Sequence, residues 1–430
     1  MRLVRMCALL GSLLPVVMMA QPATPDEQEL KGRVHLLEEQ VRLLRQEIDQ
    51  LKAASTSGRA PTPWVTEPPS ATAQAPAPTP APAEGERPAP ALRLFGSSGA
   101  KLFNPDIGII GNFTGAIGRS ASSPYVAPAP SLSLQESEAS FQAIVDPYAR
   151  ADFFLAFGEK GVEVEEGYLT FLNLPGDLLV KAGKMRATFG RLNAFHNHTL
   201  PWVDRPLVMY NLLGGSTEDP DTGIKDAGIS VSRILPTGGD TFVEVTGEIF
   251  RGDAGTLWKA EQRNDVSVVG HVRSYFDLSE ATNLEVGGSF GRGSNEFGSQ
   301  FITQLYGTDV TLRWRPLSRA IYQSFTFRTE LIWSRRTEPQ QIQRAFGFYA
   351  SADYQFARRW SAGVRYDKSD RANDATITDK GGSAVLTFRP SEFSQVRAQY
   401  RRTQFGGSSA VDELLFQVLF TLGAHGAHPF

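Results

Sequence analysis

The chain is poor in cysteine: Cys7 is the only one, and it lies in a segment that reads as a removable leader. A disulfide framework and cysteine-based metal or redox chemistry are therefore excluded. No apolar run reaches the roughly 20 residues that a spanning helix needs. Charge of one sign is not in surplus either, with 43 basic against 46 acidic residues, so composition carries no nucleic-acid signal. Histidines number six. His196 and His198 form one pair and His425 and His428 another, and neither pair has a cysteine or a local carboxylate cluster beside it, so no metal site is expected. Gly287-Gly288-Ser289-Phe290-Gly291 matches G-x-S-x-G, but that elbow requires a strand-turn-helix, and these residues lie inside a strand pattern. No phosphate-cradling loop is present. The sequence points to a protein that is not an enzyme, with no catalytic residues and no cofactor.

The front of the chain has three parts. Residues 1–20 read as a secretory signal: Arg2 and Arg5, then apolar Met6 to Val17, with Ala20 at the cut. Residues 24–54 form a coiled-coil helix, with Thr24 as N-cap, Pro25 in the first turn and Glu27 three residues after the cap. Its seam is Leu30, Val34, Leu37, Val41, Leu44, Ile48 and Leu51. β-Branched residues at a and leucine at d favour a parallel dimer, while Leu36 and Leu43 widen the apolar face toward a higher order. Residues 55–95 are a linker rich in Pro and Ala, centred on Ala75 to Pro82. It cannot form a core, and at about 3.1 Å per residue it reaches on the order of 100 Å.

Residues 100–430 carry a different periodicity. Sixteen alternating segments are expected at 105–118, 132–145, 148–158, 162–173, 178–189, 223–235, 241–250, 265–276, 283–292, 301–315, 322–334, 343–356, 360–368, 380–389, 394–404 and 412–422. Val243, Val245 and Ile249 alternate with Glu244, Thr246 and Glu248; Phe325, Phe327, Leu331 and Trp333 alternate with Thr326, Arg328 and Glu330. Only helices and closed barrels cross a bilayer, because backbone polar groups find no water in hydrocarbon. With no spanning helix, the pattern predicts an all-β transmembrane barrel of antiparallel strands. Aromatics near strand ends, including Tyr275, Phe276, Trp314, Trp333, Tyr354 and Trp360, fit interfacial girdles. Connections after even strands are short and several after odd strands are longer, as in outer-membrane barrels. The alternating segment Leu414 to Leu422 and the final Phe430 suit a closing strand.

The longest connection, 190–222, follows the fifth strand and carries Phe195-His196-Asn197-His198-Thr199-Leu200-Pro201-Trp202-Val203-Asp204-Arg205-Pro206. Its aromatics and prolines predict an ordered loop folded into the mouth or lumen. The strand leading into it, Val180-Lys181-Ala182-Gly183-Lys184-Met185-Arg186-Ala187-Thr188-Phe189-Gly190, resembles the phosphate-selective porin O/P family. That resemblance covers about 100–430 in pattern and implies a trimeric passive channel whose basic wall residues draw anions; by motif position only Lys184 and Arg186 carry over. Expected pore-lining residues are Lys184, Arg186, Arg191, Arg205, Arg150, Arg273, Arg328 and Glu248. Among inward candidates, the basic set Arg150, Lys184, Arg186, Arg273, Arg313, Arg328, Arg365, Arg389, Arg397 and Arg401 is matched in number by Asp152, Glu166, Asp226, Glu244, Glu248, Glu285, Asp309, Glu330, Asp353 and Asp367. A mixed lumen does not support phosphate selectivity.

Together these features predict a bacterial outer-membrane porin for small hydrophilic solutes or ions, with its amino-terminal stalk in the periplasm. The expected partners are outer-membrane lipid, further copies of the chain in a homotrimer, and peptidoglycan or another periplasmic partner, with no nucleic acid. The alternative is a structural tether whose barrel merely anchors the stalk.

Overall fold

A computed structural model describes Arg42 and residues 105–423, apart from 121, 159–160, 218–221 and 239–240. The expected leader, heptad seam, linker and carboxyl-terminal residues lie outside the described residues, Arg42 excepted. The described residues from 105 to 423 belong to one compact unit.

Sixteen strands make up that unit. The first eight are β1 (Asp106–Gly118), β2 (Ser133–Asp146), β3 (Ala149–Gly158), β4 (Gly161–Leu174), β5 (Leu178–Arg186), β6 (Lys225–Leu235), β7 (Phe242–Phe250) and β8 (Ser267–Ser279). The second eight are β9 (Thr282–Asn295), β10 (Gly298–Trp314), β11 (Ser324–Thr337), β12 (Ile342–Ala357), β13 (Trp360–Asp370), β14 (Thr378–Ser391), β15 (Ser394–Gln404) and β16 (Val411–Gly423). Each strand pairs antiparallel with its chain neighbour, and β1 closes on β16. Every alternating segment read from the sequence is a strand. Closure leaves the sheet no open edge, the condition for placing strands in hydrocarbon. Among the described residues no helix is long and apolar enough to span a membrane.

The seam shows how alternation is used. In β16, Leu414, Val418, Phe420 and Leu422 are exposed on the outside, while Leu415, Gln417 and Leu419 are buried on the inside. Gly111 of β1 faces Phe420 across the ladder, and a Cβ there would stand 2.2 Å from the ring. The missing side chain lets an outward phenylalanine lie flat over the joint. Outward aromatics also meet across strands, as Trp360 with Phe388 at 4.5 Å and Trp333 with Phe346 at 5.2 Å between ring centres. Cross-strand aromatic pairs of this kind stabilise the wall.

The inside is not a bare tube. The loop after β5 and the loop between β7 and β8 both fold inward. They bring Leu192, Leu200, Trp202, Val208, Met209, Leu212, Leu213, Leu257 and Trp258 against Met185, Phe250, Leu305, Ile332 and Tyr349 of the wall. A second core therefore sits within the barrel. The loop after β5 contains one short helix, α1 (Leu207–Leu212), packed on β11 to β14. Its six residues are too few to be stable alone; the buried Leu207, Val208, Met209 and Leu212 hold it in place.

Candidate functional site

The loop after β5 crosses the lumen, and the hydrogen bonds along it trace the crossing. Thr188 N donates to Glu248 Oε2 of β7 at 2.8 Å, Gly190 N to Ser289 Oγ of β9 at 2.8 Å, and Leu192 N to Glu330 Oε1 of β11 at 2.9 Å. Alternate strands thus present one acceptor each to successive backbone amides. Gly190 makes the inward turn at φ 60°, and a Cβ there would fall 2.2 Å from Glu330 Oε2. Both the left-handed backbone and the close approach call for glycine.

The chain then doubles back. Asn193 Nδ2 donates to the carbonyls of Ala187 and Ile224 at 2.8 and 3.0 Å, closing the base of the loop. The next stretch swings to β2 and β4. His196 Nδ1 lies 2.7 Å from Glu165 Oε2 and 2.9 Å from Glu138 Oε2. Burial by itself would depress the His196 pKa, but Glu138 and Glu165 outweigh it and raise the value to about 10.

Beyond the histidines the loop is fastened to β13 and β15. Arg397 of β15 donates to the carbonyls of Leu200 and Trp202 at 2.9 and 3.1 Å, and Val203 N donates to Gln399 Oε1 at 2.8 Å. Asp204 accepts from Arg365 of β13 at 2.9 Å, from Arg401 of β15 at 2.8 Å and from Gln399 Nε2 at 2.6 Å. Burial would raise the Asp204 carboxyl, but the two guanidiniums prevail and hold it at about 2. Trp202 is fully buried, edge-on to Tyr349 at 5.6 Å and beneath the Arg365 guanidinium at 4.8 Å.

Open space remains between this loop and the β5–β10 wall. A cavity of about 300 Å³ is lined there by Lys181, Arg191, Glu244, His271, Arg273, Glu285 and Asp309, among others. Its charges are interleaved. Arg191 and Arg313 both bind Glu285, Arg313 at 3.0 Å, and Arg273 binds Glu244. Further round, Arg328 pairs with Asp353 at 2.8 Å and Arg150 with Asp152 at 2.8 Å.

The expected pore-lining residues therefore fall into three groups. Arg150, Arg191, Arg273 and Arg328 face the interior and keep part of their surface open. Glu248 and Arg205 also lie inside but are buried and structural. Arg205 Nε donates to Asn197 Oδ1 at 2.8 Å, and the same guanidinium donates to the carbonyls of Leu192 and Phe195, so it ties the loop to itself.

Lys184 and Arg186 form the third group and require a correction. They do share a face of β5, opposite Met185. For Lys184 that face is the outer one, since Ala182 pairs with the exposed Ile229 and Lys184 with Ala227, whereas Met185 belongs to the inner core; Arg186, at the strand end, is only 5% exposed. Lys184 folds against Glu163 and the Val164 carbonyl at the strand end, and Arg186 turns its buried guanidinium toward the Thr222 carbonyl. The basic residue of β5 that reaches the cavity is Lys181. Basic residues on both parities of one short strand left the inner face undetermined by pattern alone.

Sequence reading also passed over Asp204, Glu136, Glu138 and Glu165. The first is one of many loop acids. Glu136 and Glu138 carried a usable signal, two carboxylates at strand spacing on one face. Glu165 and Glu166 are adjacent, which strict alternation cannot place on the same side.

No family model matches the chain. An uncharacterized protein of Aquifex aeolicus (strain VF5) is 27% identical over 345 residues, covering 70% of each chain. Among solved structures, the outer membrane channel DcaP of Acinetobacter baumannii aligns with a TM-score of 0.50 at 11% identity, covering 74% of this chain and 96% of that one. The anion-selective porin from Comamonas acidovorans aligns with a TM-score of 0.48 at 9% identity, over 74% of this chain and 98% of that one. The fold is that of the outer-membrane porins.

Proposed function

We propose that the chain is a passive outer-membrane channel for small hydrophilic solutes or ions, with passage confined to the gap between the inward loop and the β5–β10 wall. The observation that carries this is the cavity of about 300 Å³ inside a closed barrel, where the charges of Lys181, Arg191, Glu244, Arg273, Glu285 and Asp309 stand beside Leu179, Ala194 and Phe195. Such a wall replaces part of a solute's hydration without trapping it, the requirement for conduction. Lys181, Arg191, Arg273 and Arg313 against Glu244, Glu285 and Asp309 favour a weak anion preference, short of phosphate specificity. The stalk reading remains part of the proposal: the heptad helix aligns the chains of a trimer, and the linker spaces it from the barrel in the periplasm.

Replacing Arg273 and Arg313 by Glu tests the path. In planar bilayers with a salt gradient, the anion-to-cation permeability ratio should fall several-fold while the barrel still shows its heat-modifiable gel shift. An unchanged ratio would place permeation elsewhere. A second reading, an anchor with little transport, draws on the apolar core that the loops build within the lumen. A wild-type barrel that folds but conducts nothing would decide for it.

A further inference from the structure

The six side chains around His196 and His198 form a cluster that the channel reading does not use. Glu136 and Glu138 come from β2, Glu165 and Glu166 from β4, and the two histidines from the inward loop. All six are buried, none more than 8% exposed. Two triads of ligand atoms, Glu136–Glu138–His198 and Glu138–Glu165–His196, each lie within 4.8 Å of one another and share Glu138. His198 Nδ1 is 3.9 Å from Glu136 Oε1 and 3.7 Å from Glu138 Oε2. These separations are too long for hydrogen bonds but near the spacing of two ligands on one tetrahedral ion, about 3.3–3.6 Å for bonds of about 2.0–2.2 Å.

Three further features set the cluster apart from an ordinary ion-pair network. His196 Nδ1 carries at most one hydrogen, yet two carboxylate oxygens lie within 2.9 Å of it. Glu136 is 6% exposed and its Oε1, aimed at His198, has no hydrogen-bond partner among the described residues. Lastly, β4 is bulged here: Phe154 pairs with Glu166 and Leu155 with Val164, so Glu165 is the extra residue. The bulge turns both Glu165 and Glu166 toward His196, where regular alternation would send one to lipid. Bulges re-aim side chains in this way at functional sites. Asn197, between the histidines, donates to Glu136 Oε2 at 3.2 Å and accepts from Arg205 Nε at 2.8 Å. It fixes the loop with both imidazoles facing the carboxylates, the kind of outer support that metal ligands receive.

We propose that this cluster binds a divalent first-row transition ion at one or both triads, with Glu138 as the shared ligand. Imidazole with carboxylate and no sulfur suits zinc, manganese or iron(II) rather than copper(I), and the histidines disfavour calcium and magnesium. The ion would staple the inward loop to β2 and β4. A ligand held only by the docked loop shifts the docking equilibrium by its own saturation, about 100-fold at a hundred times Kd.

The test uses the full chain, purified without a polyhistidine tag, stripped with chelator and dialysed against micromolar Zn²⁺ or Mn²⁺. Elemental analysis should then find one or two ions per chain. X-ray absorption of the zinc-loaded wild type should show nitrogen or oxygen ligands at about 2.0–2.1 Å with imidazole scattering. Zinc should slow proteolysis within the loop at least tenfold. Glu138→Gln, and His196→Gln combined with His198→Gln, should lose the ion and the protection; His425→Gln combined with His428→Gln should keep both. Less than about a tenth of an ion per folded wild-type chain overturns the proposal and leaves protonated His196 as the balancing charge. So does metal that persists in folded Glu138→Gln, or zinc whose absorption spectrum lacks imidazole. The wild-type measurements decide the matter even where a variant fails to fold.

Discussion

Asp204→Asn should release the far end of the inward loop. In the wild type this carboxylate is shared by Arg365 and Arg401 at 2.9 and 2.8 Å and by Gln399 at 2.6 Å, with only 11% of its side chain exposed. An amide keeps the size but supplies no charge, and its NH₂ group must face one of the guanidiniums. Removing one partner of a buried pair costs about 3–5 kcal/mol. Each arginine retains another carboxylate, Asp367 at 2.8 Å for Arg365 and Glu413 at 2.6 Å for Arg401, so the low end applies. About 3 kcal/mol corresponds to roughly a 150-fold rise in loop opening at about 1.4 kcal/mol per decade. Hydrogen exchange at Val203 and Leu207, in detergent micelles, reads that change directly.

The pH dependence provides an independent check. The folded carboxyl is held at about 2 against an ordinary 3.8. A depressed carboxylate contributes stability that is complete above the ordinary value and lost as pH falls through the folded one, here about 2 kcal/mol. Wild-type loop protection should therefore persist at pH 4 and fade toward pH 2, while the Asn variant shows no such step. Equal protection of the two proteins at pH 7 would mean that the Asp204 clamp does not hold the loop.

Trp202→Ala removes a fully buried ring wedged between Tyr349 and Arg365 and should cost about 3–5 kcal/mol. Loop protection and intrinsic fluorescence should fall while the barrel keeps its resistance to detergent; a variant as well protected as the wild type would count against the inner core. In the stalk, Leu37→Asp with Leu44→Asp should abolish association of the 24–54 peptide and loosen the oligomer, because charge in an apolar seam goes unpaired. Sedimentation reads the mass, and a wild-type peptide that stays monomeric at high concentration would remove the aligning role.

The strand count, strand positions and antiparallel order were legible because a period of two is written residue by residue, and a closed sheet in lipid must keep it throughout. The inward turn of the loop after β5 was legible as well, from its length and its Phe195, Trp202 and prolines. The lumen's balance of charge could be read from Arg273, Arg313 and Arg328 against Glu244, Glu285 and Asp353, which share the inward parity.

Three things belonged to the tertiary structure alone. Parity in β5 was set by its neighbours: the pairing with β6 gave the inside to Lys181 and Met185 and the outside to Lys184, while Arg186 is buried at the strand end. The bulge at Glu165 interrupted the period that sequence reading relies on, and so hid a carboxylate pair facing the loop. The meeting of Asp204 with Arg365 and Arg401, and of His196 with Glu138, spans long stretches of chain. Within a regular strand, local alternation decides which side chains share a face. Only closure of the barrel brings distant strands around one loop and decides what that side chain meets.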